Sequence, residues 1–488
     1  MDELRATPAA ILEQQHFTAI TTAIQELLDL TKPRSTLIIA IDAPIALAKA
    51  YQQKQRRFKA RSALVGEEDG YQLYDTTRYV ASGIFDSNTI TPGTPFMDRL
   101  DQYLQSWIQS NRARLPPRVV FSGSRSIEEG EHKLSHYLRT LQWDPRYERS
   151  HVHVIYGLDA DLIFLSLLLP LSNVALLRDD VSFKDGEHFH LLNIPETRRA
   201  VKDGIGSVDD FLLLSTLVGN DFIPSFPSVS VGDLDKLIEV YRRANVYLTY
   251  RDTHRVNWSA FTSFLAVFVS EEQVLLEEQA SRGARYPSVA LQGSIVNGFL
   301  DLAKFSELHY ERALSARTPE VRRRMAESWL AAVAWVYMYY NEGMSSINSD
   351  WFYPFNYVPL AAEILEVLTT DKERAFEWFA IDTRSRALLP FEQLVAVLPP
   401  ASAHLLPESL RFLITSEQSP LADLYPTTFR ADLNGKMKEH EAVALLPFID
   451  GERVRAAVKA VLAEFPLTEE EERRNSVEGD RVFKQYQL

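Results

Sequence analysis

Short apolar runs alternate with helical apolar periodicities along the first 230 residues of this 488-residue chain. Runs rich in β-branched and aromatic residues predict buried strands, and apolar residues recurring every three to four positions predict amphipathic helices. The predicted strands cover 35–41, 118–121, 152–156, 174–178 and 189–192, and the predicted helices include 8–29, 48–61, 97–108 and 208–218. Strands that alternate with helices form sheets covered by helices on both faces, so this order predicts an α/β fold with a largely parallel, doubly wound sheet.

The pattern becomes mainly helical from about residue 231. Residues 62–95 look irregular, and residues 387–480 combine short apolar runs with Pro pairs, which is typical of an extended segment that wraps over a folded core. The predicted helices of this second part cover 234–241, 258–271, 289–310 and 319–340. We therefore expect two regions, an α/β domain over 1–230 and a helical and extended region over 231–488.

Composition narrows the class of protein. With 46% hydrophobic and 24% charged residues the chain has ordinary globular values, and no apolar run approaches the length of a membrane span. The first residues lack the profile of a secretory signal, and the absence of cysteine excludes disulfides, cysteine zinc sites and thiol catalysis. We expect a cytoplasmic protein with no membrane partner, and a nuclear location stays open. The net charge of −14 argues against broad attachment to nucleic acid, so any such site must be a local basic patch.

Two acids follow the predicted strand 152–156. Asp159 and Asp161 come directly after Gly157 and precede an apolar helical segment. Spaced two residues apart in an extended turn, their side chains can point the same way at the carboxyl edge of the sheet, where α/β folds bind ligands. Two such carboxylates suit a hard cation, Mg²⁺ or Mn²⁺. The alternative is a helix N-cap with an acidic first turn.

Other acids follow other strands or helices of the α/β region. Asp42 ends the strand 35–41, Glu129 and Glu131 open a helix after the strand 118–121, and Asp221 is exposed by Gly219. Acids in the first turn of a helix are also stabilised by the helix dipole, and this is an equally good explanation for the position of the two glutamates. Six acids at such junctions would converge on one sheet edge, and together they indicate a two-metal phosphoryl-transfer site.

The helix 48–61 carries a basic face. Lys49, Gln53, Arg56 and Arg57 fall at positions i, i+4, i+7 and i+8, so they share one side of the helix. Most such faces are simply solvated. This one follows a strand that ends in an acid, in a protein that is otherwise acidic, so it is suited to holding a phosphate beside the carboxylates.

Aromatic residues are concentrated at 335–359, WVYMYYNEGMSSINSDWFYPFNYVP. Most of these rings are expected in the core. A few could instead face a single nucleic-acid strand and stack on its bases.

The ordered motifs of the chain resemble the XRN family of 5′→3′ exoribonucleases, from about residue 33 to 484. The resemblance is carried by QQKQRRFKA (52–60), TPGTPFM (91–97), SGS…EEGEHK (122–133), HVIYGLDADLIFL (153–165), DDFLLLSTLVGNDFIP (209–224), WVYMYYNEG (335–343), WFYPFNYVP (351–359), PFEQLVAVLPPAS (390–402) and RRNS (473–476). It implies a nuclease core of the PIN/FEN-like α/β type followed by a second conserved region. It also implies degradation of single-stranded RNA that bears a 5′-monophosphate, one nucleotide at a time, with divalent metal.

The resemblance assigns roles to particular residues. It implies that the six acids, Asp42, Glu129, Glu131, Asp159, Asp161 and Asp221, are metal ligands and carry catalysis. It implies that Lys49, Gln53, Arg56 and Arg57 form the 5′-phosphate pocket, and that Trp351 lies where a base-stacking ring is expected, although the local spacing differs from the family pattern.

The sequence also departs from the family. Nothing in residues 1–35 is a β-rich run ending in Asp, so the first strand and the first of seven expected carboxylates are missing. We expect the strands 35–41 and 152–156 to lack a neighbour as a result. Ser225 stands where the family has a histidine, and Arg125 stands where an acid is usual.

Two functions from different classes fit these observations. The first is a processive, metal-dependent 5′→3′ exoribonuclease that degrades 5′-monophosphorylated RNA to mononucleotides. The second is a catalytically impaired XRN-like protein that acts as an RNA-binding or structural subunit. The missing aspartate favours the second, whereas the six remaining acids and the complete basic face favour the first.

Overall fold

The computed structural model describes residues 9–78, 85–145, 147–180, 188–250, 253–282, 288–313, 318–370, 385–433, 435 and 442–484. The strands are β1 (Thr36–Ala40), β2 (Ala63–Glu68), β3 (Tyr71–Asp75), β4 (Arg118–Ser122), β5 (His153–Tyr156), β6 (Val174–Asp179), β7 (Phe189–Asn193), β8 (Thr249–Tyr250), β9 (Arg255–Val256), β10 (Ile295–Val296), β11 (Phe299–Leu300), β12 (Thr428–Asp432), β13 (Val443–Leu445) and β14 (Arg481–Lys484). The helices are α1 (Ala9–Thr31), α2 (Leu47–Arg61), α3 (Pro95–Ser110), α4 (Gly130–Leu141), α5 (Asp161–Leu168), α6 (Ile194–Ile205), α7 (Val208–Leu217), α8 (Leu234–Ala244), α9 (Trp258–Ser281), α10 (Val289–Gly293), α11 (Leu302–Ala313), α12 (Pro319–Glu342), α13 (Ala361–Thr370), α14 (Pro390–Val397), α15 (Phe412–Thr415), α16 (Gly451–Glu464) and α17 (Glu469–Arg474). Pro8 of the predicted first helix lies outside the described residues.

The α/β region contains two three-stranded sheets. In the first, β1 pairs parallel with β4, which pairs antiparallel with β14; in the second, β5 pairs parallel with β6, which pairs antiparallel with β7. The α/β class with a helical second half is therefore confirmed, and the expected doubly wound sheet is divided in two. Within the described ranges, β1 and β5 each have one edge without a partner strand, as expected for strands that lack a neighbour.

The region predicted as irregular, 62–95, begins with a β-hairpin, so that prediction was wrong there. β2 and β3 pair antiparallel across a turn at Asp69 and Gly70, both with positive φ (51° and 76°). An Asp-Gly pair between two strands is a strong hairpin signal, and it explains why this segment is not irregular. The hairpin joins β12 and β13 in a four-stranded antiparallel sheet.

The prediction of one continuous helix over 289–310 was also wrong. The chain forms the short helix α10, a hairpin of β10 and β11, and then α11. The hairpin turn is Asn297-Gly298, with φ values of 52° and 86°. Helical geometry requires negative φ, so this dipeptide ends the apolar periodicity that predicted one long helix.

Two large cores hold the second half of the chain together. The larger contains rings of α12, and Trp335, Tyr337, Tyr339 and Tyr340 are all at most 2% exposed, which confirms that most rings of this aromatic segment are core. The other core packs α2 against α14 and α16. Because β12 pairs with β3 and β14 pairs with β4, this part of the chain packs on the first half. The segment 387–480 is not mainly extended as predicted, since it contains α14 and the 14-residue helix α16.

One helix corrects the expectation about membrane spans. α9 is long and apolar enough to cross a membrane by length and composition alone, with a mean hydropathy of 1.2 over its best window. Its Phe261, Phe264 and Phe268 are completely buried, and Phe261 contacts Trp329 of α12. Core helices of soluble proteins pass the same test, so this observation is weak evidence for a span.

Candidate metal centre and adjoining basic face

Three carboxylates form the centre of an acidic cluster. Asp159 and Asp161 lie where β5 leads into α5, and Glu131 lies in the first turn of α4. Oxygen atoms from all three lie within 4.8 Å of one another. The backbone N–H of Asp161 donates to Oδ1 of Asp159 at 3.3 Å, so the turn itself fixes the spacing of the two aspartates. The structure therefore brings together residues that are about thirty positions apart.

Asp42 and Glu129 meet at the start of α4. Oδ1 of Asp42 accepts a hydrogen bond from the N–H of Gly130 at 2.8 Å, which ties the end of β1 to this helix. Glu128, directly before the N-cap Glu129, has a φ of 104°, a strained conformation for any residue other than glycine. The strained turn is held by Ala43 and Pro44, whose backbone groups exchange hydrogen bonds with Glu128 at 3.2 and 2.9 Å.

Asp221 is presented by a glycine turn and held by α2. Gly219 has a φ of 87°, and a Cβ there would lie 2.7 Å from the backbone nitrogen of Ser225, so only glycine fits. Nε2 of Gln52 donates to Oδ1 of Asp221 at 2.5 Å, and Arg56 lies 4.0 Å from the same oxygen.

Lys49 lies inside the acidic cluster and not on an open basic face. Its ammonium is 2.5 Å from Oε1 of Glu129 and 2.6 Å from Oδ2 of Asp221, and its side chain is only 8% exposed. Burial lowers the pKa of Lys49, but the charges of these two carboxylates outweigh burial and raise the pKa above its usual value. The two acids are therefore arranged around a cationic group.

The rest of the basic face borders the cluster. The side chain of Arg56 is 68% exposed, so its charge is available to a ligand. The guanidinium of Arg57 donates to Oγ1 of Thr91 from Nε at 3.0 Å and from Nη2 at 2.9 Å. Oε1 of Gln53 accepts from Gln393 at 3.5 Å. This face thus has one exposed and one anchored arginine next to the acids.

Burial and mutual repulsion make the acids hard to ionise. Burial raises the pKa of Glu129, and it raises the pKa of Glu131 together with the neighbouring charges of Glu129 and Asp159. Burial also raises the pKa of Asp161, to about 6, despite the opposing charge of Lys49. Such a group of carboxylates gains most from a bound cation.

The donor set fits a divalent metal. Within the described part of the chain, the buried Oε1 of Glu131 has no hydrogen-bond partner, although buried carboxylate oxygens are normally paired. It lies in the group formed with Asp159 and Asp161, which offers only oxygen ligands. Mg²⁺ and Mn²⁺ prefer this ligand chemistry.

Several residues that contact the cluster were missed from the sequence. Gln52 could have been found, because it lies one helical turn after Lys49. Tyr339, Tyr340 and His132 could not, because their periodicity and apolar surroundings are those of ordinary core residues. Trp351 is half-buried, and its ring lies 5.8 Å from that of Trp335 with a 32° tilt, so one part of it packs on the aromatic core.

Comparison with known proteins agrees with this architecture. The family model described as "XRN 5'-3' exonuclease N-terminus" matches residues 2–180, and the one described as "Xrn1 helical domain" matches residues 204–295 and 302–487. Together these two models cover most of the chain.

Relatives with similar sequences carry exoribonuclease names. They include 5'-3' exoribonuclease 2 of Yarrowia lipolytica, 28% identical over 96% of this chain and 64% of the relative. Others are 5'-3' exoribonuclease 1 of Homo sapiens, 29% identical over 95% of this chain and 32% of the relative, and 5'-3' exoribonuclease 2 of Arabidopsis thaliana, 28% identical over 94% and 61%. The chain therefore spans from about a third to somewhat under two thirds of the length of these relatives.

Proposed function

The chain belongs to the XRN family of 5′→3′ exonucleases, and from this membership we propose that it is a divalent-metal-dependent 5′→3′ exoribonuclease. Its proposed substrate is single-stranded RNA with a 5′-monophosphate, degraded processively to mononucleotides. The observation that carries the proposal is a carboxylate cluster next to the basic residues of α2. Oxygens of Glu131, Asp159 and Asp161 lie within 4.8 Å of one another, and Lys49 pairs with both Glu129 and Asp221.

The acids have the proposed role of holding Mg²⁺ or Mn²⁺. Glu131, Asp159 and Asp161 offer oxygens within 4.8 Å of one another. Glu129, at the N-cap of α4, and Asp221, in the turn after α7, both pair with Lys49. Asp42, just after β1, accepts a hydrogen bond from the N-terminus of α4. When bound, such metals activate the attacking water and stabilise the charge on the leaving oxygen.

The residues of α2 have the proposed role of selecting the 5′-phosphate. Arg56 is exposed and Arg57 is anchored, so a terminal phosphate can receive charge-assisted hydrogen bonds from donors at fixed positions. A cap or a triphosphate would add bulk and charge that this face does not match. Trp351 is the proposed base-stacking ring, and its half-buried position holds it rigidly against Trp335.

A second candidate function is an RNA-binding protein with impaired catalysis. It is favoured by the edges of β1 and β5, which have no partner strand within the described ranges and flank the acidic cluster. A strand between them that ended in an acid would add a seventh carboxylate to the cluster. Under this alternative, the chain binds 5′-monophosphorylated RNA but does not hydrolyse it.

The experiment measures binding and digestion of one RNA. The chain is incubated with 5′-monophosphorylated RNA in Mg²⁺ or in EDTA, beside the double variant Asp159→Asn, Asp161→Asn. The proposal expects mononucleotides only from the unaltered chain in Mg²⁺, with RNA binding retained by the variant. Binding of equal strength by both proteins, without mononucleotides from either, would favour the second function.

A further inference from the structure

The last turn of α12 brings two adjacent tyrosines to the acidic cluster. Tyr339 and Tyr340 are 1% and 2% exposed, and they lie near the end of the 24-residue helix Pro319–Glu342. This helix lies within the match to the helical family model, as does Asp221, whereas the other five acids lie within the match to the nuclease model. The candidate metal centre is therefore completed by side chains from a distant part of the sequence.

The hydroxyl of Tyr339 is hydrogen-bonded to a carboxylate of the cluster. It donates to Oε2 of Glu129 at 3.2 Å. Burial and the charges of neighbouring carboxylates, Asp161 among them, raise the pKa of the adjacent Tyr340 well above its usual value.

Both oxygens of Glu129 are engaged. Oε2 accepts the hydroxyl of Tyr339, while Oε1 lies 2.5 Å from the ammonium of Lys49. A carboxylate that is free to rotate can exchange its two oxygens. Because a buried donor holds Oε2, Glu129 keeps one orientation, in which it offers an oxygen within 4.8 Å of an oxygen of Glu131.

The tyrosines themselves are held firmly. The ring of His132 stacks on Tyr339 with centroids 4.0 Å apart, and it meets the ring of Tyr340 edge-on at 5.6 Å. Arg139 donates to the backbone carbonyl of Tyr340, and the N–H of Met344 donates to Oε1 of Glu128 at 2.8 Å. These contacts join the end of α12 to the strained turn before α4, and they hold the ring of Tyr339 in place.

We propose that Tyr339 is a positioning residue, whose hydroxyl orients Glu129 so that the acidic cluster binds divalent metal. This inference rests on the proposed function, since it assigns the cluster to metal. It goes beyond the proposed function in assigning a residue of the helical region to the metal centre. Residues that orient ligands in this way typically contribute roughly ten- to a hundredfold to metal affinity or activity.

The experiment uses Tyr339→Phe, which removes one oxygen atom and keeps the buried ring. Melting temperatures of the full chain are recorded without RNA over a Mg²⁺ and a Mn²⁺ titration, and circular dichroism checks the fold. Tyr337→Phe is the matched control: it lies on the same helix, is equally buried, and its hydroxyl donates to Asp209, outside the cluster, at 2.9 Å. We expect the metal concentration at half-maximal stabilisation to rise at least tenfold in Tyr339→Phe and to stay unchanged in the control.

A second measurement separates positioning from general packing. In the Glu129→Gln background, Tyr339→Phe should cause no further shift of the metal midpoint, because the carboxylate through which it acts is gone. In RNA digestion, Tyr339→Phe should lower kcat and raise the metal requirement while leaving KM for RNA unchanged.

The outcomes also separate this inference from the proposed function. A metal midpoint of Tyr339→Phe equal to that of the unaltered chain would overturn the inference, even if RNA is digested. An equal shift in Tyr337→Phe would overturn it as well, because packing alone would then explain the effect. Shifted midpoints in a protein that digests no RNA would support the inference and refute the proposed function.

Discussion

The ammonium of Lys49 lies 2.5 Å from the carboxylate of Glu129, and both side chains are less than a tenth exposed. The same ammonium reaches Asp221 at 2.6 Å. A buried lysine thus neutralises part of a cluster that would otherwise consist of acids alone. The stability of the metal-free protein therefore depends on the charge of Lys49 and on the ionisation of the acids around it.

Lys49→Met should destabilise the metal-free protein by about 3–5 kcal/mol, because it leaves buried carboxylates without their counter-charge. Mg²⁺ should restore more stability to this variant than to the unaltered chain. The measurement is chemical denaturation in EDTA and in Mg²⁺. Arg453→Met removes the exposed ion pair with Asp423 and should cost less than about 1 kcal/mol in either condition. A similar small loss for Lys49→Met would show that its pairing contributes little.

Divalent metal should raise the melting temperature of the unaltered chain at millimolar concentration, because a ligand that binds only the folded state stabilises it by mass action. The double variant Asp159→Asn, Asp161→Asn should lose most of this increment, since it removes two charges from the densest part of the cluster. Asp235→Asn, at an exposed position on α8, should keep it. If millimolar metal leaves the melting temperature of the unaltered chain unchanged, the metal site does not form.

The metal-free protein should lose stability as the pH rises through about 6. Burial raises the pKa of Asp161 to about 6 in the folded state, above its ordinary value of 3.8. Folding favours the protonated form of Asp161. The stability that this form contributes is complete below pH 3.8, the ordinary pKa, and it is lost as the pH rises through about 6, the pKa in the folded state. Asp161→Asn should therefore be more stable than the unaltered chain at pH 8, by on the order of 1–3 kcal/mol.

The measurement for this prediction is denaturation in EDTA between pH 5 and pH 8. The advantage of Asp161→Asn should shrink as the pH falls toward 5. Parallel stability curves for the two proteins would contradict the assignment of this pH dependence to Asp161.

Arg57→Ala should lower turnover of 5′-monophosphorylated RNA far more than turnover of the same RNA with a 5′-hydroxyl. A lost charge-assisted contact costs about 1.5–3 kcal/mol, roughly ten- to a hundredfold in rate. Arg430→Ala, which removes an exposed arginine paired with Glu68 on the antiparallel sheet, is the control. Equal losses on both RNAs would refute the phosphate-binding role of this face.

The sequence was most informative where local pattern and chemistry coincide. Strands end where β-branched runs stop, so Asp42, Asp159 and Asp161 could be placed at a sheet edge before the structure was known. The burial of Lys49 among the acids could not be predicted. Helical spacing groups Lys49 with the exposed Arg56, and only the packing of α2 decides which of the two is buried.

Contacts over long sequence separation were the least accessible. Tyr339 reaches Glu129 across 210 positions, and nothing in its own neighbourhood distinguishes it from a core ring. The hairpins at Asp69-Gly70 and Asn297-Gly298 are a different case. Both turn dipeptides favour a hairpin by themselves, but the apolar periodicity around Asn297-Gly298 and the irregular pattern around Asp69-Gly70 indicate other structures.

The most direct measurement compares kcat/KM of the unaltered chain for two RNAs of one sequence, one with a 5′-monophosphate and one with a 5′-hydroxyl, in Mg²⁺. A label at the 3′ end reports the direction of digestion, and released mononucleotides report its product. We expect digestion from the 5′ end, at least tenfold faster for the monophosphate and absent in EDTA. Equal rates for the two RNAs, or no mononucleotides from either, would contradict a metal-dependent 5′-monophosphate exoribonuclease.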